Sequence, residues 1–403
     1  MINKILLITC TLIGSTLYAQ NLKTSVLVVG ASPSGMAAAI QSAKSGVKTV
    51  LIDAGNFESL TLSVQDKTIK AGIYADFVKR VDSLQKRPFT ANQLLTPAFT
   101  ASVFKGWADT VKNLTILPKS TVKKLKKSGK GWQIDLQNRE IKADVLVDAS
   151  SNDALTRMVG LIAKRTGTTI SSSKIYDNNL YRTSVAIVKS ESVAFKGFTL
   201  ADFIVPEIEN LVLVKPNQDV SGLQSGQAAG TIAAYCAFFK TSTKNIDVRK
   251  TQSELLTFKA RLIHFDDIAE ADSSMIAFQH IGVTGILKGK MEGNKFLFLP
   301  EATVSTEELK KPFREYYSRS QIWFLDNQSP KLTIKGALSL IKFTASRGEE
   351  LNTQVQKAWK SSLRLPGNFD LDRAVTRREF AILLDTYLQP FSVGVDLSGY
   401  VKN

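Results

Sequence analysis

Cysteine and histidine are scarce in this chain, which has two of each among 403 residues. Zinc and other transition metals in proteins are usually held by clusters of these two residue types. The scarcity therefore leaves no ligand set for a metal site. Only Cys236 lies outside the first 19 residues, so the rest of the chain forms no internal disulfide. Beyond those residues no segment is long and apolar enough to cross a membrane.

The first 19 residues have the pattern of a secretory signal peptide. Lys4 precedes an apolar run over residues 5–13, and small or polar residues continue to Ala19. This run is too short to span a bilayer. We therefore expect export and a mature chain in the periplasm, the cell envelope or the extracellular space. A buried first strand is the alternative structure for the segment.

Acidic residues are also few relative to basic ones: the chain has 36 aspartates and glutamates against 52 lysines and arginines, and its formal net charge is +16. Such a charge suits either tolerance of acidic surroundings or a polyanionic partner, such as an acidic envelope polysaccharide or phospholipid headgroups. Nucleic acid is not an expected partner of an exported protein. Much of the excess lies in the stretch KSTVKKLKKSGKGW from Lys119, which is predicted to be a hairpin with a solvated face.

The stretch VLVVGASPSGMAAAI from Val26 predicts a strand, a glycine turn and a helix. Gly30 and Gly35 match the outer glycines of G-x-G-x-x-G, and Ser32 stands where the pattern has its second glycine. The helix start would direct its amide groups at a phosphate. Asp53 ends the next predicted strand, where an acidic residue accepts hydrogen bonds from a ribose. These features favour a nucleotide site, and a βαβ unit without ligand is the alternative.

The rest of the chain divides into two differently patterned parts. Residues 22–240 alternate strands and helices, with a weakly patterned stretch at about 152–200 that is short for a substrate-binding insertion. Residues 241–250 lack apolar periodicity and are predicted to be a linker. Residues 251–395 are predicted to be mainly helical, with an internal repeat of about fifty residues.

Three segments of the first part resemble the FAD-dependent oxidoreductases of the two-dinucleotide-binding, glutathione-reductase type. They are the stretch from Val26 to Asp53, the strand IKADVLVDAS, and the sequence GLQSGQAAGTIAAYCA after a late strand. The resemblance implies a Rossmann-type FAD/NAD(P)-binding domain with FAD as cofactor. The residues that it places at the cofactor are Gly30, Ala31, Ser32, Ser34, Gly35, Asp53, Ala149, Ser150, Ser225, Gly226 and Gln227.

The chain departs from that family at several positions. AGNFESLTLS after Asp53 lacks the usual paired glycine, Ala149 to Ser151 replace an A-T-G turn, and Lys215 follows the late strand in place of a glycine. No second G-x-G-x-x-G is present, so electrons would come from a small-molecule substrate or an external donor. No catalytic residue stands out.

The C-terminal part resembles S-layer homology modules, which attach proteins to cell-wall polysaccharide. The resemblance rests on FDDI at Phe265, on FLPEATVSTEEL, and on FDLDRAVTRREFAILL. It implies that Arg377 and Arg378 grip an acidic glycan, since a guanidinium binds carboxylate or phosphate with two hydrogen bonds. The spacing of these residues is also that of helix capping boxes, which need no ligand. Packing between domains is the alternative role for the C-terminal part.

Four further residues carry side chains that are reactive or bind metals in other proteins. His264 is predicted to be a surface or capping residue, and Asp266 and Asp267 are predicted to cap a helix and not to bind a cation. Cys236 is predicted to be a buried core thiol.

The sequence thus favours an exported FAD-dependent oxidoreductase of α/β fold, followed by a mainly α-helical repeat domain. The alternative is a flavin-free scaffold of the same fold that binds envelope glycan or a protein partner through its C-terminal repeats.

Overall fold

The computed structural model describes residues 21–57, 60, 62–63, 69–90, 94–150, 154–161, 169–190, 192–215 and 220–402. The predicted signal peptide lies outside these ranges. Within them the chain forms an α/β domain with a largely parallel sheet, followed by a mainly helical region, which confirms the predicted fold class. No helix in this part of the chain is long and apolar enough to cross a membrane.

The elements are numbered in chain order. The strands are β1 (Leu22–Val29), β2 (Thr49–Ile52), β3 (Leu62–Ser63), β4 (Leu94–Leu95), β5 (Leu114–Leu117), β6 (Lys124–Ser128), β7 (Gly131–Asp135), β8 (Glu140–Asp148), β9 (Ile170–Ser171), β10 (Ser184–Lys189), β11 (Phe195–Thr199), β12 (Leu211–Leu213), β13 (Lys290–Glu292) and β14 (Lys295–Leu297). The helices are α1 (Pro33–Lys44), α2 (Gly72–Gln85), α3 (Pro97–Ala108), α4 (Ala154–Met158), α5 (Val220–Phe238), α6 (Val248–Thr257), α7 (Met275–Thr284), α8 (Thr306–Tyr316), α9 (Ser320–Asp326), α10 (Ile334–Ala345), α11 (Glu350–Ala358) and α12 (Arg377–Tyr387).

The main sheet has the order β5, β2, β1, β8, β7, β6, and β12 also pairs with β8. Strands β5, β2, β1, β8 and β12 run parallel, so their carboxyl ends meet at one edge of the sheet. The first half of β8 pairs with antiparallel β7, and its second half pairs with β12. In parallel α/β sheets, the carboxyl edge is where ligands bind. The predicted 152–200 stretch contributes a small antiparallel sheet, β10, β11, β9.

Strand β1 is buried on both faces, and its side chains alternate between two cores. Val26 and Val28 pack in the core that includes helices α1 and α5, whereas Leu27 packs with Trp132 and Ile134 under the β6–β7 hairpin. This burial explains why the strand is a continuous apolar run.

Helices α1 and α5 pack closely because glycines line their contact. A Cβ at Gly226 would lie 2.2 Å from the Ser34 carbonyl oxygen, and one at Gly230 would lie 2.4 Å from the Ala38 carbonyl oxygen. A side chain at either position would push the helices apart. The small residues of GQAAGTIAA therefore set the distance between these helices.

The segment 241–250, predicted to be a linker, is packed in the structure. Helix α6 begins within it at Val248, which is buried. Arg249, only 5% exposed, donates to the Arg182 carbonyl and to the Tyr316 hydroxyl of α8. One buried guanidinium thus joins the α/β domain to the helical region.

Three helices of the C-terminal region begin at a common point. The amide of Val304 donates to the Val375 carbonyl, that of Val375 to the Leu332 carbonyl, and that of Leu332 to the Val304 carbonyl, at 2.9–3.1 Å. These residues precede the starts of α8, α12 and α10. The hydrogen bonds close a cycle, and the three helices therefore share one anchored origin.

The prediction of a helix start at Asp266 and Asp267 is wrong. Residues 266–274 form turns, and α7 begins only at Met275. Asp266 accepts the Phe296 amide, and Asp267 accepts amides at the end of β14, all at 2.7–2.8 Å. Both carboxylates attach the FDDI turn to the β13–β14 hairpin. They also give backbone amides of this irregular segment the hydrogen-bond acceptors that regular secondary structure would otherwise supply.

Candidate functional site

Most of the predicted cofactor residues meet at the carboxyl edge of the main sheet. Gly30 follows β1, Asp53 follows β2, and Ala149 with Ser150 follows β8. Because β1 lies between β2 and β8, the three strand ends are neighbours. The first turn of α1 starts from the same place, so its positive end faces this edge.

The turn between β1 and α1 requires both glycines. Gly30 has φ of +100°, and a Cβ there would lie 2.7 Å from the Ala149 carbonyl oxygen. A Cβ at Gly35 would lie 1.9 Å from the Gly30 carbonyl oxygen. The turn therefore has the tight geometry that the G-x-G-x-x-G pattern supplies in dinucleotide-binding folds.

Ser32, at the position of the missing glycine, is the N-cap of α1. Its hydroxyl accepts the Gly35 amide at 3.2 Å and donates to the Ala149 carbonyl at 3.3 Å. The Ser34 hydroxyl donates to the Lys215 carbonyl at 2.8 Å, just beyond β12. The two serines thus tie the start of α1 to the ends of β8 and β12. The amides of Ser32 and Ser34 have no hydrogen-bond acceptor among the described residues, as is usual in a first helical turn.

Asp53 is 9% exposed and accepts hydrogen bonds from the backbone on both sides. Its Oδ1 lies 3.4 Å from the Ala31 amide, and its Oδ2 lies 3.1 Å from the Phe57 amide. A carboxylate has about four acceptor positions, so these contacts leave capacity for the hydroxyls of a ribose. The Asp53 side chain also fixes the turn against the loop that follows β2.

Asp148 is a site residue that the sequence analysis missed. It ends β8 and is fully buried, and its Oδ1 accepts the amide and the hydroxyl of Ser150 at 3.0 and 2.6 Å. An acid at the end of an otherwise apolar strand was the available signal, the same signal that identified Asp53. The carboxylate shapes the turn at Ala149, against which Gly30 packs.

Ser225, Gly226 and Gln227 lie in the second turn of α5 and contact other parts of the protein. Ser225 donates to the Gly222 carbonyl, and Gly226 packs on α1. Gln227 accepts the Ile73 amide and donates to Gln41 at 3.0–3.1 Å. Gly226 thus packs against the glycine turn at Ser34, whereas the hydrogen bonds of Ser225 and Gln227 go to other parts of the protein.

The residues present fit the pyrophosphate and ribose of a dinucleotide. Two amides without acceptors at a helix start suit phosphate oxygens, and Asp53 lies where the ribose hydroxyls would be held. The positions beside a flavin ring would be the segments after Asp53 and after β12. Residues 58–59, 61, 64–68 and 216–219 of those segments lie outside the described part of the chain.

Arg377 and Arg378, predicted to bind glycan, are engaged by the protein itself. Arg377 is 3% exposed and contacts Glu308 at 2.6 Å and the carbonyls of Phe298 and Lys288 at 2.8 and 2.6 Å. Arg378 bridges two carboxylates, Asp272 and Glu301, both at 2.8 Å. These contacts account for both guanidinium groups in the folded chain.

The remaining candidates form no second reactive centre in the described ranges. No group of three or more metal-ligating residues was found there. His264 lies 3.3 Å from Asp266 and is half-buried. Burial raises the pKa of Cys236 to about 12, so this thiol is not a nucleophile near neutral pH.

One comparison with known proteins, with a protein family, agrees with this site. Residues 25–171 match the family model described as FAD dependent oxidoreductase. The match supports the Rossmann-type domain and indicates FAD as its cofactor. No curated protein matches the chain significantly.

Many solved structures match at low identity. Thioredoxin reductase from Gloeobacter violaceus is 16% identical, with 32% of this chain and 35% of that chain covered and a TM-score of 0.24. The thioredoxin reductase from T. acidophilum is 16% identical, with 32% and 36% covered and a TM-score of 0.22. Bacillithiol disulfide reductase from Staphylococcus aureus is 17% identical, with 32% and 39% covered and a TM-score of 0.23. The chain spans little more than a third of the length of these proteins.

Proposed function

We propose that this protein is an exported FAD-dependent oxidoreductase that takes two electrons from a small-molecule substrate or an external donor. The observation that carries the proposal is the meeting of the Gly30–Gly35 turn, the start of α1 and Asp53 at the carboxyl edge of the sheet. The family match over residues 25–171 supports it.

The chain's own residues would bind and orient the cofactor. The amides of Ser32 and Ser34 would donate to the pyrophosphate, and Asp53 would accept from the ribose. Asp148 and Ser150 would hold the adjoining turn in place. Bound FAD supplies hydride acceptance, in which the substrate loses a hydride and is oxidised by two electrons.

A second candidate function has its own observation. The hydroxyls of Ser32 and Ser34 are both engaged within the protein. Hydroxyls that are already paired with backbone carbonyls favour a flavin-free scaffold, with binding of envelope glycan or a protein partner through the C-terminal region.

An absorption spectrum distinguishes the two candidates. The purified chain would be examined as isolated, and again after incubation with FAD and desalting. A retained flavin spectrum that bleaches anaerobically with a reduced nicotinamide, alcohol or amine donor supports the oxidoreductase. A protein that stays colourless in both samples contradicts it and favours the scaffold. Binding of isolated envelope polysaccharide by the same preparation tests the scaffold directly.

A further inference from the structure

An open cavity of about 510 Å³ lies at the sheet edge opposite the candidate site, and lysines are prominent among the residues that line it. Lys23 and Lys142 are register partners on neighbouring parallel strands, so two like charges lie side by side on one face. Lys48 and Lys130 line the same surface. Neighbouring like charges in a sheet cost stability, and an anion placed between them would remove that cost.

Acidic residues do little to neutralise this group. Lys142 lies 3.5 Å from Glu140, but Lys23, Lys48 and Lys130 have no acidic partner within 4 Å in the described ranges. Asp144, which also lines the surface, is paired with Lys240 at 2.8 Å. The surface therefore keeps a net positive charge.

Two exposed aromatic rings lie at the end of α5, next in sequence to a lysine that reaches this surface. Phe238 and Phe239 are 62% and 54% exposed, and no other phenylalanine in the described part of the chain is exposed. Their ring centroids are 5.0 Å apart. The next residue, Lys240, reaches Asp144 on the lysine-lined surface. We call Lys23, Lys48, Lys130, Lys142, Phe238 and Phe239 together the basic edge.

We propose that the basic edge binds an anionic lipid surface. Lysines near such a surface are attracted to headgroup phosphates, and aromatic rings insert at the boundary between headgroups and acyl chains. A soluble polyanion would use the lysines alone and would leave the two rings exposed to water. The combination of exposed rings with lysines of which only Lys142 has an acidic partner in the described ranges therefore favours lipid. The proposal does not depend on flavin binding.

Sedimentation of the full chain with lipid vesicles tests the proposal. We expect binding to mixed phosphatidylcholine and phosphatidylglycerol vesicles, weaker binding to phosphatidylcholine alone, and weakening as salt is raised. The affinity of the double variant K23E/K142E for the mixed vesicles should be at least about tenfold lower than that of the parent. The variant F238S/F239S should also lose binding, although its charge is unchanged. The control K357E/K360E reverses two exposed lysines of the helical region and should bind like the parent.

Three outcomes would overturn the proposal. The first is an absence of binding to the mixed vesicles. The second is binding that neither basic-edge variant changes, which would point to another segment of the chain. The third is binding that K23E/K142E abolishes, F238S/F239S leaves intact, and dextran sulfate competes away, which would identify a soluble polyanion as the ligand. Thermal unfolding of each variant would establish that the change lies in binding and not in folding.

Discussion

Nη1 of Arg377 lies 2.6 Å from Oε2 of Glu308, although the two residues open different helices. Glu308 also accepts the Ser305 amide in the capping box of α8, and Arg377 is the first residue of α12. One ion pair therefore joins the starts of two helices.

Replacement of Arg377 by alanine should lower the free energy of unfolding by about 3 kcal/mol or more, because it leaves Glu308 and two backbone carbonyls without their partner. Urea unfolding would measure the loss. The control is Arg314→Ala, which removes an exposed arginine from α8 and should change stability by about 0.5 kcal/mol or less. Equal effects of the two variants would contradict a structural role for Arg377.

Two glycine-to-alanine changes in helices should have opposite signs. At Gly230 the new methyl group would collide with the Ala38 carbonyl, so we expect the free energy of unfolding to fall by about 1–3 kcal/mol. At Gly106, in α3, nothing lies within 4 Å of the new Cβ, and alanine should stabilise the helix by about 0.5–1 kcal/mol. Thermal unfolding of both variants checks the prediction, and a stabilised Gly230→Ala would show that α1 and α5 are not held at this distance.

Asp266 should contribute stability that depends on pH. Burial by itself would raise its pKa, but hydrogen bonds from His264, Lys189 and the Phe296 amide outweigh burial and hold the pKa well below its ordinary value. A lowered pKa in the folded state adds stability above the unfolded value of about 3.9, and this contribution is lost as pH falls through the folded value.

Asp266→Asn should therefore cost about 1–3 kcal/mol near neutral pH, and the difference from the parent should shrink below about pH 4. Urea midpoints measured across this range would show the trend. Asp109→Asn, at an exposed position, serves as the control. A difference that stays constant with pH would rule out the carboxylate charge as its source.

Cys236 should resist alkylation while the protein is folded. Its thiol is buried and its pKa is raised to about 12, so almost no thiolate forms near neutral pH. In a Cys10→Ser background, iodoacetamide should label the chain only after denaturation. Rapid labelling of the native protein would mean that α5 opens at its C-terminal end.

Asp53→Asn should weaken FAD retention about tenfold, because one ribose acceptor is lost while the amide oxygen still binds one backbone amide. Titration followed by flavin fluorescence would measure the affinity. Gly30→Val should abolish retention, but it would also strain a turn with φ of +100°, so the Asp53 variant gives the cleaner test. Unchanged affinity in both variants would place the cofactor elsewhere.

Local patterns in the sequence predicted much of the α/β domain. The apolar run before Gly30, the small-residue helix after it, and the buried strand that ends at Asp148 all form as expected. Helices α2 and α3 lie in the part of the chain for which alternating strands and helices were predicted. These features depend on residues close together in the chain, which a pattern can capture.

Long-range partners were not predictable in the same way. Gly226 was predicted to lie at the cofactor, and the structure shows that it also sets the distance between α1 and α5 together with Gly230, for which no role was predicted. The polar stretch 241–250 was expected to be a linker, but its buried Arg249 reaches Arg182 and Tyr316. Local sequence does not distinguish a polar residue in a solvated loop from one in a buried hydrogen-bond network. The difference depends on residues that are distant in the chain and close in the fold.

The hydrogen-bond cycle of Val304, Leu332 and Val375 has a consequence for synthesis at the ribosome. Two members can pair as soon as α10 has emerged, but the cycle stays open until residues 374–376 have been added. Helices α8 and α10 therefore have to wait for α12 before their origin is complete. A nascent chain that stalls before that point exposes unpaired backbone groups and apolar helix faces, which are the features that molecular chaperones recognise.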